Sequence, residues 1–104
     1  MTQTYNKLVR DKIPEIINGK GGTATTRVLD EEEFIEALEE KLREEVIEYV
    51  DQPSVEELAD ILEVVYALGE LQGLKPREIE DVRKTKAETR GSFKERIFLE
   101  TVEE

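Results

Sequence analysis

The sequence predicts an all-α domain. Apolar residues recur at helical spacing through two long segments, 31–50 and 55–72. Phe34, Ile35, Leu38, Leu42, Val46 and Tyr49 form one stripe; Leu58, Ile61, Leu62, Val65 and Leu68 form the other. Both segments are bounded by residues that start or stop helices: Asp30 before the first, Ser54 before the second, Gly73 after it. The break between them, Asp51-Gln52-Pro53, is short, which makes the two helices antiparallel neighbours.

The remaining elements follow in chain order. Residues 5–18 mix basic and apolar positions and predict a short helix over 9–17, with Pro14 weakening any start before it. Gly19-Lys20-Gly21-Gly22 is a turn. Residues 23–29 are rich in β-branched side chains and read as a short strand. Asp30 is a good N-cap, with Glu33 three residues on to complete a capping box. Gly73 supplies the stop of the second long helix. Pro76 fits the first turn of a further helix over 76–89, whose apolar residues are mainly Ile79, Val82 and Ala87. Arg90-Gly91-Ser92-Phe93 is a turn, and the alternation at Ile97 and Leu99 reads 93–101 as a strand able to pair with 23–29. The expected fold is a helical bundle with two long antiparallel helices, short additional helices and a minor β pair.

The chain has 104 residues, enough for a single domain over 1–104. Apolar residues make up 38% and charged residues 39%, so the core will be thin, and assembly into at least a dimer would add burial. The net charge of −11 argues against non-specific binding to nucleic acid or to an anionic membrane. With no Cys there is no disulfide framework and no thiolate nucleophile; with no His there is no imidazole base. Any metal site must use oxygen ligands. No apolar run is long enough to span a bilayer, and no secretory apolar segment opens the chain, so the cytoplasm is the expected location.

Chemistry concentrates in two acidic motifs, Glu44-Glu45-x-x-Glu48 and Glu56-Glu57-x-x-Asp60. On a helix, residues three or four apart share a face, so each motif aims two or three carboxylates in one direction. Packed side by side, the two helices would bring four or five carboxylates together, a costly arrangement without a cation. Glu-rich helices usually present a solvated face, and Glu39, Glu40, Glu63 and Glu70 fit that description. Glu45 differs: at about 100° per residue it projects within about 60° of the centre of its helix's apolar stripe. Glu48 lies at the edge of that stripe, Glu57 borders the second core face, and Asp60 lies further round beside Val64. Two competing explanations are specific. Ser54-x-x-Glu57 is itself a capping box, and Glu44 can pair with Lys41 three residues earlier. Clustered oxygen ligands suit Mg²⁺ or Mn²⁺, ions that usually serve phosphate chemistry.

These residues resemble the signature of the MazG-like, all-α nucleoside triphosphate pyrophosphohydrolases, a superfamily that includes dimeric dUTPases and phosphoribosyl-ATP pyrophosphohydrolase. Its E-x-x-E and E-x-x-D pair is matched by Glu45-Val46-Ile47-Glu48 and Glu57-Leu58-Ala59-Asp60. The opening Tyr5-Asn-Lys-Leu-Val-Arg-Asp-Lys-Ile-Pro14 is similar to the start of a compact subgroup, and Lys86-x-x-x-Arg90-Gly91-Ser92-Phe93 resembles a further family segment. The resemblance spans nearly the whole chain.

It implies homodimers or homotetramers, and Mg²⁺-dependent hydrolysis of a nucleoside triphosphate between the α- and β-phosphates, giving monophosphate and pyrophosphate, often as nucleotide-pool house-cleaning. On this reading Glu45, Glu48, Glu57 and Asp60 are the metal ligands, and Glu44 is a supporting carboxylate or base beside Glu45. Lys7, Arg10, Lys12, Lys86 and Arg90 are candidate phosphate grips, each also explicable as a surface cation. Gly91 permits close approach to an anion or simply ends a helix. Phe93 and Tyr5 can stack on a base, with core packing the competing role of Phe93. Two alternatives stay open: phosphoribosyl-ATP pyrophosphohydrolase of histidine biosynthesis, and a non-catalytic acidic helical oligomer that binds a partner. The second would not place Glu45 on the apolar side of its helix.

Overall fold

The computed structural model describes residues 1–103, and within them the chain forms four helices: α1 (Ile13–Gly19), α2 (Glu31–Asp51), α3 (Val55–Leu71) and α4 (Pro76–Arg90). They group into two compact units, Met1–Leu68 and Gly69–Glu104, with the boundary inside α3.

The first unit holds the two long helices. Asp30 caps α2: its side chain accepts the Glu33 N–H at 2.8 Å, and the Glu33 carboxylate accepts the Asp30 N–H at 3.4 Å. The expected capping box is therefore formed, and Glu31, Glu32 and Glu33 sit where the helix dipole favours negative charge. At the start of α3, Ser54 Oγ accepts the Glu57 N–H at 3.1 Å. Only Gln52, Pro53 and Ser54 separate the two helices. A continuous path from Glu45 to Asp60 would run about 22 Å at 1.5 Å per residue. Their carboxylates instead lie within 4.8 Å of one another, so the chain folds back and α2 and α3 are antiparallel partners.

The buried faces are rotated from the expected stripes. On α2 the covered residues are Phe34, Ala37, Leu38, Lys41, Leu42, Glu45 and Tyr49, while Ile35 and Val46 are exposed. On α3 Val64 is buried, flanked by Ile61, Val65 and Leu68, while Leu58 and Leu62 are about half exposed. The cause is that α3 is apolar around much of its circumference, so hydrophobic spacing alone does not choose which face meets α2. The core is thin, as composition predicts: Leu38 and Val64 are the buried apolar side chains among the described residues.

In the second unit, α3 ends in a Schellman motif. The Leu74 N–H reaches Gly69 O and the Gly73 N–H reaches Glu70 O, both at 2.9 Å, with Gly73 at φ 77°. Gly69 is buried, and a Cβ there would lie 2.5 Å from Ile79 Cδ1, so α4 approaches through the space a side chain would fill. The Glu78 carboxylate accepts the Lys75 N–H at the start of α4.

Two expectations are corrected. The first helix starts at Ile13 and not at 9, because Pro14 belongs to its first turn, where a missing N–H costs nothing. The β pair does not form: 23–29 and 93–101 are without regular secondary structure among the described residues. Phe93, Ile97, Phe98 and Leu99 are largely exposed, so these apolar side chains have no face to pack on, and an isolated two-stranded ribbon is marginal in water. Among the described residues, no helix is long and apolar enough to cross a membrane.

Candidate metal centre

Glu45, Glu57 and Asp60 each offer a carboxylate oxygen, and the three oxygens lie within 4.8 Å of one another. Helical spacing sets this up. Glu45 stands seven residues after Leu38, two turns along the same face, so the packing that buries Leu38 also buries Glu45. Glu57 and Asp60 are three apart on α3 and project together toward it.

Burial sets the electrostatics. Glu45 is only 5% exposed. Its Oε1 faces Lys41 Nζ at 3.4 Å, but its Oε2 is buried with no hydrogen-bond partner. Glu57 Oε2 is in the same condition. The capping-box explanation of Glu57 therefore covers half of the residue: its N–H is used by Ser54, but its carboxylate is turned to the cluster. A carboxylate so placed holds its proton. Sharing a hydrogen bond with Glu45, together with burial and the charges of Glu48, Glu45 and Asp60, pushes the Glu57 carboxyl up to about 7.

The donor set fits a hard divalent cation: it is all oxygen, and two of its oxygens lack partners.

Glu48 is not one of the three. It is exposed and lines a surface cleft with Asp51, Gln52, Pro53, Ser54 and Glu57, near enough for its charge to act on Glu57. Glu44 lies outside the triad, with its Oε1 3.7 Å from Lys41 Nζ and 3.9 Å from Lys7 Nζ. The Lys41 pairing suggested by spacing is thus present, but Lys41 also reaches Glu45. That second role was overlooked in the sequence, although the i, i+4 spacing signals it.

The candidate phosphate grips divide. Lys7 and Arg10 stand at the cluster, with Arg10 Nη2 donating to Asp60 Oδ1 at 2.6 Å. Lys12 is exposed at the head of α1. Lys86 and Arg90 are exposed on α4 of the other unit. Gly91 follows α4 at φ 86° and gives its N–H to Ala87 O at 2.9 Å, so that amide is committed to ending the helix. Phe93 is 97% exposed, which removes core packing within this chain as its role. Tyr5 is also exposed, with Lys7 Nζ 5.9 Å from its ring centroid.

A stretch of 42 residues is 50% identical to an uncharacterized protein of Mycolicibacterium smegmatis, covering 40% of this chain and 43% of that protein. The matched stretch therefore spans less than half the length of that relative, whose name states no activity. No protein-family profile matches the chain. No solved structure matches it.

Proposed function

We propose that this protein is a Mg²⁺-dependent nucleoside triphosphate pyrophosphohydrolase of the MazG-like type, cleaving between the α- and β-phosphates to give nucleoside monophosphate and pyrophosphate. One observation carries the reading: Glu45, buried on the core face of α2 with an oxygen lacking any donor, converges with Glu57 and Asp60 of α3. Lys41 pairs with one oxygen of Glu45, and the second is left for a cation.

Glu45, Glu57 and Asp60 would hold the ion, with Glu48 joining from the rim of the cleft. Mn²⁺ suits the same donors. A divalent ion in such a site offsets phosphate charge and lowers the pKa of a bound water. The protein's own groups do the rest. Lys41 holds Glu45 by its Oε1 and leaves Oε2 without a partner. Glu44, beside the triad and next to Lys41 and Lys7, is the carboxylate that would accept a proton from an attacking water. Lys7 and Arg10 are placed to meet phosphate oxygens.

The active form is a homodimer or homotetramer. Val46, Ile47 and Val50 on α2 and Val55, Leu58 and Leu62 on α3 are exposed in the single chain, an apolar surface that a second copy would cover. A location in the cytoplasm follows from the proposed substrate.

Product analysis tests the reading. Incubation with Mg²⁺ and a panel of standard and damaged nucleoside triphosphates, with phosphoribosyl-ATP included, should yield a monophosphate and pyrophosphate. Glu45→Gln should abolish both. Turnover of phosphoribosyl-ATP alone would move the protein to histidine biosynthesis. No turnover and no saturable divalent-ion binding would leave a non-catalytic helical oligomer.

A further inference from the structure

Two cations of the N-terminal segment already stand on the acidic face of the hairpin. Arg10 Nη2 donates to Asp60 Oδ1 at 2.6 Å, and Lys7 Nζ lies 3.9 Å from Glu44 Oε1. Asp60 belongs to α3 and Glu44 to α2, so residues 7–10 reach both helices of the hairpin. The path is built by the backbone. Asn6 turns the chain at φ 45°, a conformation Asn tolerates better than most residues. Leu8 is half-buried, while Lys7 and Arg10 remain exposed. The apolar side chain anchors the segment, and the charged ones extend to the carboxylates.

Asp60 thus has two claims on it: it is one of the three candidate ligands, and it is the partner of Arg10. A guanidinium cannot be deprotonated in a protein, so it leaves only by displacement. The pair is largely exposed, 56% for Arg10 and 38% for Asp60, and exposed pairs are exchanged at little cost. Once released, the fork of guanidinium donors matches two oxygens of a phosphate.

We propose that Arg10 is the resident counter-cation of the metal-free site, displaced from Asp60 by the incoming divalent ion and passed to the phosphate of the substrate. This deepens the metal reading and rests on it. Its consequence is coupling: Arg10 weakens binding of the ion alone and strengthens binding of the ion together with a phosphate ligand, so ion and substrate enter together.

Paramagnetic titration of Mn²⁺ tests it on the full chain, with and without imidodiphosphate as a phosphate probe that resists hydrolysis. Arg10→Gln should bind Mn²⁺ alone about two- to fivefold tighter, the scale of one exposed ion pair. In the presence of imidodiphosphate the same variant should bind Mn²⁺ more weakly than the native chain. Arg10→Lys, which keeps the charge and loses the fork, should match the native chain for Mn²⁺ alone and lose part of the coupling. A purely structural role would weaken both. If the native chain binds Mn²⁺ saturably and Arg10→Gln binds it equally or less well, the counter-cation role is wrong and the metal reading stands. If the coupling to imidodiphosphate is untouched in Arg10→Gln, the transfer to phosphate is wrong. If the native chain shows no saturable Mn²⁺ binding, the metal reading itself fails and the proposal falls with it.

Discussion

Replacing Glu45 by Gln should stabilise the metal-free protein while destroying its response to Mg²⁺. Glu45 is 5% exposed, and one of its oxygens has no donor once Glu57 has lost its proton, above about pH 7. A buried acceptor left unpaired costs about 1–3 kcal/mol, more when charged. Gln has nearly the same volume, keeps one oxygen for Lys41, and presents an amide N–H₂ to the neighbouring carboxylates. Against this, the substitution loses the i, i+4 ion pair with Lys41, worth about 0.5 kcal/mol. The net gain is about 1–2 kcal/mol, which for a domain of this size raises the melting temperature by roughly 5–10 °C. Saturating Mg²⁺ should reverse the order: the native chain gains about 2.7 kcal/mol at a hundred times its Kd, and the variant gains little. Thermal melts in chelator and over a Mg²⁺ series read both effects. A variant that melts lower than the native chain in chelator would show that Lys41 fully compensates Glu45, and the argument from an uncompensated buried carboxylate would be refuted.

Further outcomes are expected. Because the Glu57 carboxyl is held near 7 against an ordinary 4.5, the folded chain binds that proton more tightly than the unfolded chain. The associated stability is full below about pH 4.5 and is lost as pH rises through about 7. The chain has no His to titrate in that interval, so urea denaturation in chelator at pH 5, 6, 7 and 8 should show a decline that Glu57→Gln flattens; stability that rises across the series would contradict it. Leu38→Ala removes the most buried apolar side chain of the α2–α3 hairpin and should cost about 2–5 kcal/mol, read by the same denaturation, while a loss under 1 kcal/mol would mean the core lies elsewhere. Asp30→Ala removes the side-chain acceptor of the α2 cap and should cost about 0.5–2 kcal/mol with no change in Mg²⁺ response, since it lies at the far end of α2 from the carboxylates.

Local chemistry made most elements legible in the sequence. Asp30 with Glu33, Ser54, Gly73 and Pro76 mark helix ends through hydrogen bonds and backbone angles that involve only near neighbours, and each acts in the structure where its type predicts. The same locality places Glu57 and Asp60 on one face, and Glu45 on the apolar side of α2. Where the expectation failed, the deciding contacts were distant. The β pair needed a sheet face that 23–29 and 93–101 lack, so their strand-like composition had nothing to stabilise it. The rotation of α3, which covers Val64 and leaves Leu58 and Leu62 exposed, is a choice among apolar faces that spacing leaves equal. Glu48 fell outside the triad for a related reason: a helical face is wide, and only the packing of the facing helix selects which carboxylates within it converge. The sequence alone determined the helices, their caps and the supply of acidic groups, because these depend on residues within a turn of one another. Only the tertiary structure decided that Glu45 and Glu57 are buried against each other, that Glu57 holds its proton to about pH 7 and that Arg10 sits on Asp60, because each arises where one segment of the chain packs against another.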